Sequence, residues 1–253
     1  MSHPLQEPPA APPAGAVPDG DTPPPRGLAR RALAGLAARG IVVFSRLLTG
    51  VRPQWTGTAP LPVPTLYFAN HNSHADFVLL WASLPPELRA RTRPVAGYDY
   101  WMVSPLRRFI GQDVFRALMI RRDGSGRPGQ GDAPDPVSQM AAVLRTGSSL
   151  IMFPEGTRNT GDDQVLLPFR SGLYHLARAC PEVRLVPVWI ENLKRVLPKG
   201  TLVPIPLACT VRFGAPVAPA QEEDKNTFIA RARDALLDLR PEYDRAEDEG
   251  RTA

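Results

Sequence analysis

Cysteine and histidine are both scarce in this chain of 253 residues. The two cysteines, Cys180 and Cys209, lie in apolar surroundings without CxxC spacing. This argues against a disulfide framework and against a zinc ribbon, so we expect both thiols to be core residues. Of the four histidines, His71 and His74 fall within one short stretch, which makes that stretch the first candidate for chemistry.

A signal sequence and a long uninterrupted apolar run are also missing. The opening MSHPLQEPPA has neither the basic nor the apolar region of a secretory signal, which predicts a cytoplasmic protein. A bilayer-spanning helix needs about 20 mostly apolar residues. Arginines interrupt every apolar run of residues 26–52 well before that length, so we predict no spanning helix there.

Composition divides the chain into four predicted regions. Residues 1–25 hold nine of the 30 prolines and few large apolar side chains, which predicts a disordered arm because little surface can be buried. Residues 26–52 carry much of the basic excess, +5 overall with a pI near 9.6. Residues 53–240 are long enough for one domain with a full core, and 241–253 read as a charged flexible tail.

The basic segment 26–52 has the pattern of an amphipathic helix. Such a helix suits the interface of an anionic membrane, where each basic residue adds roughly 1 kcal/mol. We therefore expect a peripheral protein on the cytoplasmic side of the cell membrane, with a membrane surface and no nucleic acid as partner. Packing of the helix on its own core is the alternative. The apolar positions that share one face are Leu33, Leu36, Phe44, Leu47 and Leu48.

From residue 65 onward, short β-rich runs alternate with helical patterns. This alternation predicts an α/β fold with a central, mostly parallel sheet and crossover helices. The predicted strands are 65–69, 93–97, 116–120, 149–153, 184–190 and 208–213, and the predicted helices are 73–83, 136–146, 171–180 and 222–239.

The stretch FANHNSHADF (68–77) follows the first of these strands. Its turn is expected at the carboxyl edge of the sheet, where α/β proteins bind ligands. Asn72 or Ser73 is predicted to cap the next helix, with Asp76 near its first turn. Asp76 can then accept Nδ1–H from His71 and leave Nε2 free to take a proton as a general base. A metal site with His74 and a purely structural polar turn are the alternatives.

A second polar group is expected at the same edge, in FPEGTR (153–158). Glu155 and Arg158 leave the sheet there, and Gly156 lets the backbone approach a ligand closely. The guanidinium of Arg158 suits phosphate. In MIRRD, Arg121 and Arg122 end another strand, and alternation sends them to opposite faces.

These motifs resemble the glycerolipid acyltransferases typified by 1-acylglycerol-3-phosphate acyltransferase, over roughly residues 60–215. The family's NHxSxxD motif matches residues 70–76, and its FPEGTR motif matches 153–158 without change. Residues 168–172 and 186–190 are similar to two further family elements. The family's remaining motif has an acidic residue where this chain has Arg121, so the phosphate-binding role of that motif is carried over to Arg122.

The resemblance implies transfer of a fatty acyl group from a thioester, on coenzyme A or acyl carrier protein, to the free hydroxyl of a lysophospholipid. It implies that His71 is the base and that Asp76 orients it, without a metal or redox cofactor. Arg122 and Arg158 are expected to bind the acceptor phosphate. The acceptor pocket is expected to include Glu155, Gly156 and Thr157.

Two other functions stay open from the sequence. Another acceptor, such as an ornithine lipid, an ether lysolipid or a sugar lipid, would use the same motifs. A non-catalytic membrane-binding protein would keep the basic segment without needing the His71–Asp76 pair.

Overall fold

A computed structural model describes residues 27–121, 135–161, 164–191 and 208–242. The strands are β1 (Arg52–Trp55), β2 (Thr65–Ala69), β3 (Thr92–Gly97), β4 (Leu118–Ile120), β5 (Ser149–Met152), β6 (Arg184–Glu191) and β7 (Thr210–Phe213). They form one sheet in the order β1-β7-β6-β2-β5-β3-β4. Within the described chain, only β6 and β7 pair in the antiparallel sense. The predicted mostly parallel α/β fold is confirmed.

Helices cover both faces of the sheet. They are α1 (Leu28–Thr49), α2 (Asp76–Ser83), α3 (Pro86–Arg91), α4 (Tyr98–Trp101), α5 (Pro105–Arg108), a π-helical turn (Phe109–Val114), α6 (Pro136–Arg145), α7 (Gly172–Ala179) and α8 (Lys225–Leu237). The core on one face is formed with α6, α7 and α8, and the core on the other with α1 and α2.

The central strand β2 shows why helices cover both faces of the sheet. Its side chains alternate between faces, with Leu66 and Phe68 in one core and Tyr67 and Ala69 in the other. All four are buried, so the strand reads as a continuous apolar run rather than an alternating one, as expected for a sheet with helices on both sides.

Three local features differ from the sequence-based expectation. Strand β1 is short and exposed and contains Pro53, so its sequence carries no strand pattern, yet it pairs with β7. The short helices between Pro86 and Val114 were not predicted either. The helix expected from residue 73 begins at Asp76, because residues 73–75 form a turn instead.

Helix α1 has two apolar faces rather than one. Ala34, Val42 and Thr49 are buried against the domain, whereas Leu33, Leu36, Phe44 and Leu47 are exposed on the other side. Leu48 is partly buried with the inner face, so it does not share a face with the other four residues as predicted. The segment therefore both packs on its own core and leaves an apolar surface uncovered.

Two side chains tie α1 to the rest of the molecule. Arg30 Nη2 lies 2.7 Å from Asp113 Oδ2, and Arg46 Nη2 donates to the carbonyl of Ala82 at 3.1 Å. By length and composition alone α1 is apolar enough to cross a membrane, in contrast to the prediction of no spanning helix in residues 26–52. The predicted arm, residues 1–25, and nearly all of the tail 241–253 lie outside the described residues.

Candidate active site

The two polar motifs meet because β2 and β5 are neighbours in the sheet. Phe68 of β2 is in register with Met152 of β5, and both strands run in the same direction. The turn that begins at Asn70 and the loop that begins at Phe153 therefore leave the same edge side by side. This edge is the usual ligand-binding edge of an open α/β sheet.

Asp76 organises the turn that contains His71. Its Oδ2 accepts backbone N–H groups from Asn72 at 2.6 Å and Ser73 at 2.8 Å, and it lies 2.9 Å from His71 Nδ1. Neither Asn72 nor Ser73 caps α2; the helix has Ala75 at the capping position without a side-chain cap. The Asp76 carboxylate thus binds amides of the turn before the helix and faces Nδ1, the geometry that leaves Nε2 available.

The loop 153–159 holds His71 by its backbone and by its ring. The backbone N–H of His71 donates to Glu155 Oε1 at 2.7 Å, and its carbonyl accepts from the N–H of Asn159 at 2.6 Å. The ring of Phe153 stacks on the imidazole with centroids 4.1 Å apart. These contacts fix both the position and the plane of the imidazole.

Glu155 is buried between the two loops. Its second oxygen accepts the N–H of Leu167 at 2.9 Å, so each carboxylate oxygen binds one backbone amide. Burial raises the pKa of Glu155, although the two backbone hydrogen bonds oppose this shift. Its contacts are with the protein backbone, so any influence on an acceptor pocket acts through the loops it joins.

Gly156 has a left-handed backbone with φ of 71°. A Cβ at this position would clash with Nε of Arg170, whose stem lies against the glycine. Glycine suits this position because the left-handed conformation is strained for other residues, and a Cβ would also require the exposed Arg170 side chain to move. Thr157, the next residue, is exposed.

Arg158 lies near the candidate base. Burial lowers the pKa of His74, and the positive charge of Arg158 lowers it further. His74 is three residues from His71. Within the described residues no carboxylate is paired with Arg158. Its planar guanidinium suits a phosphate, and this role of Arg158 stays a prediction.

Arg121 and Arg122 are the other two candidates for binding the acceptor phosphate. Arg121 lies with its guanidinium 4.7 Å from the ring centre of Tyr98, at the ends of β4 and β3. Arg122 lies outside the described residues, so its phosphate-binding role stays a prediction.

An apolar cavity of about 520 Å³ lies next to the turn, between α1, α2 and the short helices after β3. His74 and Ala75 form the part of its wall that precedes Asp76. His74 itself stacks on Tyr100, with centroids 5.4 Å apart. The other residues of the wall are Gly40, Ile41, Phe44, Ser45, Leu48, Thr49, Phe77, Val78, Leu79, Trp101, Arg107, Ile110 and Phe115.

A metal centre finds no support at this site. In the part of the chain that the structure describes, no three His, Cys, Asp or Glu side chains are grouped to hold a metal ion. His71 Nδ1 faces Asp76, whereas His74 contacts Tyr100.

Three supporting residues were not singled out from the sequence. Asn70 is buried and bridges to β6, donating to the carbonyl of Ile190 at 2.9 Å and accepting its N–H at 2.7 Å. Phe153 and Asn159 contact His71 as described above. Asn70 and Phe153 are the first residues of the two motifs, and this position could have indicated them. Asn159 follows the second motif and carries no such signal.

The fold and the paired motifs at one sheet edge define an acyltransferase-type domain. The Acyltransferase family model matches residues 52–191, more than half of the chain, and the chain belongs to this family.

Individual relatives share one printed name, 1-acyl-sn-glycerol-3-phosphate acyltransferase. The protein of Limnanthes alba is 30% identical over 180 residues, covering 70% of this chain and 58% of the relative. That of Saccharomyces cerevisiae is 26% identical over 207 residues, covering 80% and 64%. The chain thus spans less than two thirds of the length of these relatives.

A solved structure has the same fold. The crystal structure of the 1-acyl-sn-glycerophosphate (LPA) acyltransferase PlsC from Thermotoga maritima superposes with a TM-score of 0.60 at 19% identity, covering 84% of each chain.

Proposed function

We propose that this protein transfers a fatty acyl group from an acyl thioester to the free hydroxyl of 1-acylglycerol-3-phosphate, giving phosphatidate. The observation that carries the proposal is the His71 Nδ1–Asp76 Oδ2 contact of 2.9 Å, in an imidazole clamped at the ligand-binding edge of the sheet. The names of its relatives support the acceptor. The thioester is on coenzyme A or acyl carrier protein.

The chemistry needs one base and no enzyme nucleophile. Nε2 of His71 takes the proton from the acceptor hydroxyl as its oxygen attacks the thioester carbonyl carbon. Asp76 holds the ring and stabilises the imidazolium that forms. The tetrahedral adduct then collapses, the C–S bond breaks, and the imidazolium gives the proton to the departing thiolate.

Arg158 is proposed to hold the acceptor phosphate, and Arg122 is carried over to the same role by the resemblance. Arg158 directly precedes Asn159, whose N–H donates to the His71 carbonyl at 2.6 Å, and this position in the chain supports the assignment. A charge-assisted hydrogen bond to phosphate contributes about 1.5–3 kcal/mol. The loop containing Glu155, Gly156 and Thr157 is proposed to shape the acceptor pocket.

The apolar cavity is proposed to take the acyl chain. Its volume of about 520 Å³ lies within the range of roughly 300–1,000 Å³ for small-molecule sites. The wall is mostly apolar and reaches the turn that carries the base, so a chain lying in it would present its thioester near His71.

We further propose that α1 binds the cytoplasmic surface of the cell membrane as a peripheral anchor. Leu33, Leu36, Phe44 and Leu47 form an uncovered apolar stripe on the helix. Such a stripe bordered by arginines is typical of helices that lie in the lipid interface. The packed inner face keeps the catalytic domain beside its lipid substrate.

The purified protein should be tested against a panel of acyl donors and lysolipid acceptors, read by lipid mass spectrometry. We expect lysophosphatidate to be preferred and His71→Ala to lower kcat at least about 100-fold with the fold retained. His175→Ala, a change at an exposed histidine on α7, is the matched control. Near-native turnover by folded His71→Ala would contradict the general-base role.

The same panel tests the acceptor. Arg158→Ala is expected to lower kcat/KM for lysophosphatidate roughly 10- to 150-fold, and to spare the acyl donor, because one phosphate contact is lost. Arg121→Ala should change little. Preference of the wild-type protein for an acceptor without phosphate would favour the ornithine-lipid or sugar-lipid alternative.

A further inference from the structure

A second uncovered apolar surface lies on residues 98–108, which contain α4, α5 and the turn between them. Val103 at the turn and Leu106 on α5 are 71% and 67% exposed, and Tyr100 is 44% exposed. The turn is nevertheless ordered by its own contacts, since Ser104 Oγ accepts the N–H of Arg107 at the start of α5. Two large apolar side chains are therefore presented to the outside by a fixed backbone.

The 98–108 segment and helix α1 meet at the apolar cavity. Phe44 of α1 and Tyr100 and Arg107 of the 98–108 segment line the same apolar cavity. The π-helical turn that follows α5 packs against α1 and carries Asp113, the partner of Arg30. The two apolar surfaces thus border one cavity whose wall extends to His74.

The charges around Val103 and Leu106 favour an anionic partner. Arg107 and Arg108 follow Leu106 directly, and Asp99 is the sole acidic residue between Tyr98 and Arg108. Arg107 lies 4.6 Å above the ring of Tyr100, and Arg108 donates to the carbonyl of Met102 at 3.4 Å. Both guanidinium groups contact residues of the same segment, so exposed apolar side chains and basic groups occur together there, a combination that matches acyl chains below a layer of phosphates.

We propose that the 98–108 segment is a second membrane contact. Val103 and Leu106 enter the acyl region of an anionic bilayer, and Arg107 and Arg108 face the lipid phosphates. Together with α1, the segment places both sides of the cavity mouth at the lipid surface, so a lipid chain reaches the cavity without crossing water. This inference rests on the proposed membrane association of α1.

Labelling at single positions tests the proposal directly. Cys180 and Cys209 are buried, so a polarity-sensitive thiol dye should react at a cysteine introduced on the surface. We would compare Val103→Cys, Leu36→Cys on α1 and Leu61→Cys, which precedes β2 at the opposite edge of the sheet. With vesicles of phosphatidylcholine and phosphatidylglycerol, blue shifts are expected at positions 103 and 36 and not at 61.

The pattern of blue shifts distinguishes the proposed α1 anchor from the proposed second contact at residues 98–108. A shift at 36 without one at 103 overturns the second contact and leaves the α1 anchor intact. No shift at either position shows that membrane association itself fails. A similar shift at all three positions would indicate nonspecific adsorption and would also overturn the second contact.

Vesicle sedimentation provides the matching functional test. Val103→Ser/Leu106→Ser should weaken partitioning of the protein onto vesicles about 10-fold or more, because the variant lacks two apolar side chains that the wild type transfers from water into the bilayer. Leu61→Ser/Val63→Ser removes two exposed apolar side chains far from the cavity and should leave partitioning unchanged. If vesicle binding by the first variant is unchanged while turnover with acyl carrier protein falls relative to acyl-CoA, the surface docks the acidic carrier and the membrane proposal is overturned.

Discussion

His71 is fixed through its backbone, its ring and one ring nitrogen. Glu155 and Asn159 hold the backbone, Phe153 covers the ring and Asp76 faces Nδ1. A catalytic group held this way loses little freedom when substrate binds, which is the requirement for efficient proton transfer in a preorganised site. Three of the four contacts come from the loop after β5, so the position of the proposed base depends on a second motif distant in sequence.

Glu155→Gln tests that dependence. The amide keeps one acceptor oxygen but turns an NH₂ group toward one of two buried backbone N–H groups, an arrangement that costs about 1–3 kcal/mol. We expect a lower free energy of unfolding and a kcat reduced roughly 10- to 100-fold, since a displaced base loses its alignment. KM for the thioester should change little.

Denaturant titration and steady-state kinetics measure the two effects. Glu182→Gln, at an exposed position before β6, is the matched control and should alter neither. Unchanged kcat in a destabilised Glu155→Gln protein would mean that the clamp serves stability alone.

Residue-scale prediction from the sequence succeeded where contacts are local. The meeting of His71 and Asp76 follows from five residues of chain that turn into a helix. The Glu155–His71 contact joins positions 84 residues apart and requires β2 and β5 to be neighbours, which no local pattern specifies. Glu155 was predicted to help shape the acceptor pocket, and its contacts with the backbone of His71 and Leu167 were not predicted.

At the scale of elements, strands with large apolar side chains were the predictable ones. All six predicted strands occur, within a few residues of the expected bounds, because their β-rich composition stands out locally. Strand β1 depends on pairing with β7 in the distant part of the chain. The helices between Pro86 and Val114 are short and bury few residues, so no clear helical period marks them.

Helix α1 contributes to the cavity through a glycine as well as through apolar side chains. Gly40 lines the cavity, and a Cβ built there meets no atom within 4 Å. We predict that Gly40→Leu fills part of the space and lowers kcat/KM for long-chain donors relative to short-chain donors at least about 10-fold, because about two acyl methylenes worth about 0.8 kcal/mol each would lose their place in the cavity.

A matched substitution separates filling from helix stabilisation. Gly35 lies on the same helix, is exposed, and is not part of the cavity wall. Both Gly35→Leu and Gly40→Leu should stabilise α1 by up to about 1 kcal/mol. Competition assays with mixed acyl-CoA lengths should show the shift for position 40 alone; a shift for both would locate the effect in the helix rather than in the cavity.

At the scale of the whole molecule, exposed apolar side chains and charge are distributed unevenly, and this distribution bears on the proposed membrane binding. The outer face of α1 carries exposed leucines and arginines, while the helices on the other face of the sheet bury their apolar side chains in the core. The sequence indicated the amphipathic segment but left packing and membrane binding as alternatives. Since α1 has two apolar faces, one face can pack on the core while the other stays exposed for membrane binding.

The arginines of α1 differ in what a substitution would do. Arg30 and Arg46 contact Asp113 and the Ala82 carbonyl, so replacing them would loosen the helix as well as change its charge. Arg31 and Arg39 are exposed and suit a test of charge alone. Arg31→Gln/Arg39→Gln should weaken binding to anionic vesicles by about 2 kcal/mol, roughly 30-fold, with neutral vesicles unaffected.

Salt dependence and a matched charge change complete this test. The difference between wild type and variant should shrink as ionic strength rises, because the Debye length falls from about 10 Å at 0.1 M to about 3 Å at 1 M. Arg178→Gln/Lys225→Gln removes the same charge from α7 and α8, which cover the other face of the sheet, and should leave vesicle binding unchanged. Equal loss by both double variants would mean that net charge governs binding, and α1 would then have no special place in the electrostatic attraction to the membrane.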